Sequence, residues 1–179
     1  QLFIMDLKGE NVKQITSNEF DTQIITPFWS PDGKRIAFAK SGPDGNMDIH
    51  MIELQTKKTQ QITRSSEGDL LPIWHPDGEK ISFTGLYDYT PNLYTYDINT
   101  SEIIQNTDVG DIVMGTQWDN NTSTITALTL NTVDSARVVS INPNRTANKT
   151  TVNMNPGFAS WRNKTPDYPL KNIDPKKVV

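Results

Sequence analysis

The sequence predicts an all-β propeller built of four-stranded antiparallel blades. Three observations carry this: a tryptophan that recurs at a fixed period, a second block that recurs at the same period out of phase, and the lack of any helical stripe. Trp29, Trp74, Trp118 and Trp161 are the four tryptophans of the 179-residue chain, spaced 45, 44 and 43 residues apart. A period of about 40–45 residues is that of propeller blades. Residues 27–38 read P-F-W-S-P-D-G-K-R-I-A-F and residues 72–83 read P-I-W-H-P-D-G-E-K-I-S-F. The match weakens at 116–127, where Asn121-Thr122 replaces Asp-Gly, and is short at 159–165. The second block occupies 1–16, 48–63, 92–107 and 136–151, with starts 47, 44 and 44 residues apart. No segment shows a sustained 3.6-residue apolar stripe bounded by caps, so almost no helix is expected.

Each unit reads as four short strands. The first ends at the tryptophan, as in Ile24 to Trp29. Ser30-Pro31-Asp32-Gly33 then turns the chain, and Pro76, Asp77 and Gly78 repeat the pattern after Trp74. Proline suits the second turn position because its φ is fixed near −65°. Gly33 supplies the left-handed residue that a short bulged hairpin needs. The second strand is Lys34 to Ala39, with Ile36 and Phe38 on one face by alternation. Residues 41–46 form a polar tip, Asp48 to Leu54 a third strand, and Gln55-Thr56-Lys57 a turn into a fourth strand ending at Gln61-Ile62-Thr63. A sheet of this size cannot bury both faces alone, so blades must stack. Trp29, Trp74, Trp118 and Trp161, with the Ile-x-Phe pairs, are the expected filling between blades. A Trp-lined carbohydrate platform is the alternative, but a platform has no need to recur in every unit.

Composition narrows the function classes. Leu, Ile, Val and Phe make up 23% of the residues, which is enough for a core. The formal charge is −4, and the pI is near 5.1. That balance argues against nucleic acid and anionic membrane as main partners, since both select clustered Lys and Arg. With no cysteine, disulfides, thiol nucleophiles and Cys-ligated zinc are excluded. No apolar run approaches the ~18 residues of a membrane span. No signal peptide is evident, and the first residue is Gln1.

The W-S-P-D-G-K-R-I-A-F block, with its following D-I-x-x-x-x-L and Q-I-T, closely resembles the TolB-type propeller repeat. This is a WD-like repeat of periplasmic and secreted bacterial proteins. The resemblance spans about residues 1–165 and is most specific at Pro27 to Phe38 and Pro72 to Phe83. It implies a propeller of roughly six or more blades and a periplasmic or secreted location. It does not imply one activity. Such propellers occur as protein-interaction modules and also in front of prolyl-oligopeptidase-type serine peptidases. Three units are complete, at 17–63, 64–107 and 108–151, and half-units lie at 1–16 and 152–165. The half-units suggest either closure of a four-bladed ring or a slice of a larger ring, and the slice is preferred. Residues 166–179 read as an exit segment or the start of a following domain.

No G-x-S-x-G elbow, Walker loop, G-x-G-x-x-G or H-E-x-x-H is present. His50 and His75 are the only histidines, and neither opens a metal pattern. Catalysis by this chain, a cofactor and a metal site are therefore not expected. Residues 43–48 faintly resemble a calcium loop but read as a hairpin tip. Asn120, Asn144, Asn148 and Asn163 head N-x-S/T triplets, which matter only in a eukaryotic secretory setting. One pattern invites a functional reading. The connections between units carry Glu19 and Asp21, then Glu67 and Asp69, then Asp108 and Asp111. In a propeller such loops share one face, so these carboxylates would form an acidic channel rim that attracts a cation, a basic peptide or a peptide amino terminus. The expected partner is a protein or peptide, with neither nucleic acid nor membrane insertion.

Overall fold

In the computed structural model of the protein, each repeat unit becomes one antiparallel sheet with its strands side by side in chain order. The structure describes residues 1–18, 21–87, 90–107, 112–119, 124–130, 137–143 and 150–152. β1 (Phe3–Ile4) and β2 (Lys13–Gln14) form a two-stranded sheet. The first four-stranded sheet holds β3 (Ile24–Trp29), β4 (Arg35–Ser41), β5 (Met47–Glu53) and β6 (Thr59–Gln61). The second holds β7 (Asp69–Trp74), β8 (Lys80–Gly85), β9 (Asn92–Asp97) and β10 (Ile103–Gln105). The third holds β11 (Ile112–Asp119), β12 (Thr124–Leu130), β13 (Arg137–Ile141) and β14 (Thr150–Val152). Among the described residues no α-helix occurs, and no helix is long and apolar enough to cross a membrane.

The turn after each tryptophan forms as its residues dictate. Gly33 takes φ +68° and Gly78 φ +74°. The Gly33 amide donates to the Ser30 carbonyl at 2.9 Å, and the Ser30 hydroxyl donates to Asp32 Oδ1 at 2.6 Å. The Lys34 amide closes the turn on Asp32 Oδ1 at 3.1 Å. His75 takes the serine position in the next unit, where the Gly78 amide donates to its carbonyl at 2.9 Å. The tryptophans pair in register with the second strand: Trp29 with Ile36, Trp74 with Ile81 and Trp118 with Ile125.

A bulge recurs in the first strand of each four-stranded sheet. The β3–β4 register shifts between Ile25 and Phe28, and β7–β8 shifts between Leu70 and Ile73. Thr26 and Leu71, each followed by proline, take φ +48° and +55° there. Proline cannot donate to a ladder, so it belongs at such an irregularity.

A second repeated device ties the two outer strands together. Thr16, Thr63 and Thr107 accept the amides of Leu2, Ile49 and Leu93 at 2.8, 2.9 and 2.8 Å. Each threonine hydroxyl then donates to the side chain one residue earlier: Gln1, Asp48 or Asn92. The N-terminal half-unit thus carries the same lock as the full units.

The cores lie between sheets. Leu2 and Ile15 pack on Ile36, Phe38 and Ile52. Ala37, Ala39, Ile49 and Met51 pack on Trp74, Ile81, Phe83, Tyr94 and Tyr96. Ile73 and Leu93 pack on Val113, Trp118, Ile125, Ala127 and Ile141. Trp74 and Trp118 are buried to 7% and 8% exposure, so they fill between blades as expected. Trp29 does not. It is 52% exposed, beside Phe28 at 44%. Among the described residues, the two-stranded sheet packs on Ile36, Phe38, Ile52 and the Ile24 end of β3, and no apolar cluster takes in Trp29. Trp161 and the expected exit segment at 166–179 lie outside the described residues.

Candidate ligand-binding groove

Strands alternate in direction, so loops sort to two faces of the stack. The β3–β4 and β5–β6 turns lie on one face. The β4–β5 tip and the β6–β7 connection lie on the other. On this second face a groove of about 1200 Å³ opens between residues 17–18 and 21–23, the 41–45 tip and the 64–66 connection. Asp48, His50, Gln61, Lys40 and Arg64 also line it.

The tip is held as a turn. The Gly42 amide donates to the Asn46 carbonyl at 2.8 Å, and Asp44 accepts from the Asn46 amide and side chain. Asp44 is thereby spent on turn geometry, as the hairpin-tip reading expects. Asp48 is buried and well satisfied. Its carboxylate accepts from the Ser65 amide at 2.9 Å, Gln61 Nε2 at 2.9 Å and the Thr63 hydroxyl at 3.3 Å. Gln61 Oε1 in turn accepts from Arg64 Nη1 at 3.0 Å. One amide therefore links the buried carboxylate to the exposed guanidinium.

His50 stands opposite Phe38 and Gln61 in the sheet register. Its Nδ1 lies 3.1 Å from the Asp48 carbonyl oxygen. A carbonyl only accepts, so Nδ1 carries the proton and Nε2 keeps its lone pair. Burial pushes the His50 pKa down. The Asp48 carbonyl and carboxylate oppose that shift, and the Lys40 and Arg64 charges reinforce it. His50 is thus neutral at pH 7.

The expected acidic rim meets these coordinates unevenly. Glu19, Asp108 and Asp111 lie outside the described residues. Asp21 is exposed and lines the groove. Glu67 is half-buried in the β6–β7 connection. Asp69 is not a solvated loop acid: it opens strand β7 opposite Gly85 and is 0% exposed. Neither carboxylate oxygen meets a donor in good hydrogen-bond geometry. Burial raises its pKa to about 6; the nearby Thr63 hydroxyl pulls the other way, and the Asp48 charge adds to the rise. The Tyr87 hydroxyl beside it is raised too, by burial and then by Asp69, Asp48 and Glu67. The register that sets Asp69 against Gly85 is what withdraws it from the rim.

The sequence did not single out Lys40, Gln61 or Arg64 as groove residues, nor assign His50 a place there. A signal existed in the repeat itself. Three of these four positions depart from their counterparts in the next unit: Gly85, Tyr94 and Asp108 stand where Lys40, His50 and Arg64 do, while Gln61 is matched by Gln105.

Sheets of four antiparallel strands, joined in chain order and packed face to face, define a β-propeller. Among the described residues no group of three or more His, Cys, Asp or Glu is placed to hold a metal. The chain belongs to the TolB beta propeller domain family, whose signature matches residues 1–160. A stretch of 63 residues is 36% identical to the Tol-Pal system protein TolB of Francisella tularensis, covering 35% of this chain and 14% of that protein. A TolB-type structure from Agrobacterium tumefaciens superposes with a TM-score of 0.68 at 15% identity, over 83% of this chain and 55% of the other. A puromycin-hydrolysing peptidase of Mycobacterium tuberculosis superposes with a TM-score of 0.60 at 10% identity, over 75% of this chain and 22% of that one. At these identities the structural likenesses establish the fold. The chain spans about half the length of the TolB-type structure and a small part of the curated relative it matches.

Proposed function

We propose that this chain is a non-catalytic propeller portion that binds a peptide or an extended protein segment in the groove between residues 17–18 and 21–23, the β4–β5 tip and the β6–β7 connection. One observation carries the reading: a groove of about 1200 Å³ with basic, acidic and amide side chains on its walls, set on stacked sheets. Rigid scaffolds presenting loops on one face are a common binding arrangement. The mixed charge suits a peptide, whose backbone and side chains offer both donors and acceptors. Membership of the TolB beta propeller family supports this reading and a periplasmic or secreted setting.

The likeness to a peptidase propeller favours a second reading. There the chain would be the propeller part of a prolyl-oligopeptidase-type peptidase, guiding peptides toward a catalytic serine outside these residues. Both readings place peptide in the groove. A photo-crosslinking amino acid at Ser66, on the groove, should capture peptide or protein from a periplasmic extract. The same group at Lys57, on the opposite face, should not. Equal capture at both positions would sink the groove as the binding site.

A further inference from the structure

We propose that Lys40 and Arg64, flanking His50, form an anion subsite in the groove, which takes a carboxylate of the bound peptide, either its C-terminus or an Asp or Glu side chain. The proposal rests on the groove being the peptide site.

Departure from the repeat is the first support. The position of Lys40 is glycine in the next unit, that of Arg64 is aspartate, and that of His50 is tyrosine there and phenylalanine in the N-terminal half-unit. His50 keeps the packing role of the Tyr94 ring. It stacks on Phe38 with centroids 5.8 Å apart and planes at 18°, as Tyr94 stacks on Phe83 at 5.8 Å and 20°. Any ring serves that contact, so packing alone does not call for an imidazole.

Neither cation is held in an ion pair among the described residues. Lys40 faces Asp48 across the β4–β5 register, but the Asp48 carboxylate is already bonded to Gln61, Ser65 and Thr63. Among the described residues, the ion pairs join Arg35 to Asp32, His75 to Asp77 and Lys80 to Asp97. Lys40 and Arg64 take part in none of them.

Finally, the three groups line the same groove. Both cations lie close enough to His50 to lower its pKa. The Gln61 amide anchors the guanidinium of Arg64 through its 3.0 Å bond. A carboxylate entering here meets two cations and forms charge-assisted hydrogen bonds, the stronger kind. Asp21 and Asp44, on the other groove loops, disfavour an anion at their own positions.

The test uses three peptides of equal length, titrated into isotope-labelled protein and followed by NMR. One is acetyl-Gly-Ser-Gly-Ala-amide, which is neutral. One is the same peptide with a free C-terminus. One is acetyl-Gly-Glu-Gly-Glu-amide. At least one of the two anionic peptides should bind about tenfold more tightly than the neutral one. Whichever gains identifies the carboxylate source. That advantage should vanish in Lys40→Gln and in Arg64→Gln, and shrink as ionic strength rises from about 0.05 to about 0.5 M. Equal binding of all three peptides would overturn the subsite and leave the groove as a peptide site. An advantage that survives both substitutions would overturn it as well. Binding by none of the three would overturn both readings. Each variant's near-ultraviolet spectrum reports whether the fold is kept.

Discussion

Trp74 and Trp29 hold the same place in two units of nearly the same sequence, and they end in opposite surroundings. Trp74 is 7% exposed. Its indole Nε1 donates to the Phe28 carbonyl at 3.1 Å, and the Arg35 guanidinium lies 4.8 Å from its ring centroid. Arg35 also donates to the Gly78 carbonyl at 2.9 Å, so it ties the first sheet to the turn of the second. Trp118 repeats the arrangement by another chemistry, with the His75 ring edge-on at 4.2 Å. Trp29 lies 52% exposed, and among the described residues no carbonyl or guanidinium contact like those on Trp74 is made to its ring. The motif therefore specifies a blade and a side chain able to dock. Burial comes only from the neighbouring sheet.

The largest effect should come from breaking the contrast directly. Trp74→Ala removes a buried indole and its hydrogen bond and is expected to cost about 3–5 kcal/mol in urea unfolding. Trp29→Ala should cost less than about 1 kcal/mol, because most of its burial is missing. Equal costs would show that Trp29 is covered in solution.

A second contrast lies in the two buried acids. Asp48 has three donors on its carboxylate, and Asp69 lacks a well-formed one. The Asp69 pKa is raised from 3.8 to about 6. A carboxyl with a raised folded pKa binds an extra proton in the native state between these two values. Its contribution is then most favourable below about pH 4 and is lost as pH rises through 6. The corresponding penalty at pH 7 is about 2–3 kcal/mol. Asp69→Asn should therefore stabilise the protein at pH 7 relative to the parent, and the difference should close toward pH 4. A difference that does not change with pH would contradict the burial of a charged Asp69.

A smaller effect is expected at the turns. Gly33→Val places a β-branched residue at φ +68° and should cost about 2 kcal/mol. Nothing lies within 4 Å of a Cβ built there, so the cost is backbone strain alone. At Gly78 a Cβ meets Arg35 Nη2 at 3.4 Å, so Gly78→Val should cost more and loosen the tie to the first sheet. Melting temperatures of the two variants, compared side by side, check the order.

What was legible in the sequence is what repeats locally. The tryptophan period, the Pro-Asp-Gly turns and the alternation of Ile36 and Phe38 each act within a few residues, and the structure follows them. The bulge at Thr26 and Leu71 had a local sign, the proline that follows, but it does not disturb the apolar alternation enough to show itself. The exposure of Trp29 and the burial of Asp69 were not legible, because each depends on which residues of another strand or sheet stand opposite. The cations of the groove were hidden for a related reason: Lys40 and Arg64 come, like the neutral His50 between them in sequence, from different strands or loops, and only the sheet register brings them together.

The most direct test of the binding claim is amide hydrogen exchange with and without a saturating concentration of whichever of the two anionic peptides binds more tightly. The account predicts added protection at residues 40–50 and 61–66, with none at the 30–34 and 75–79 turns on the opposite face. Protection confined to those turns, or spread evenly over the sheets, would contradict it.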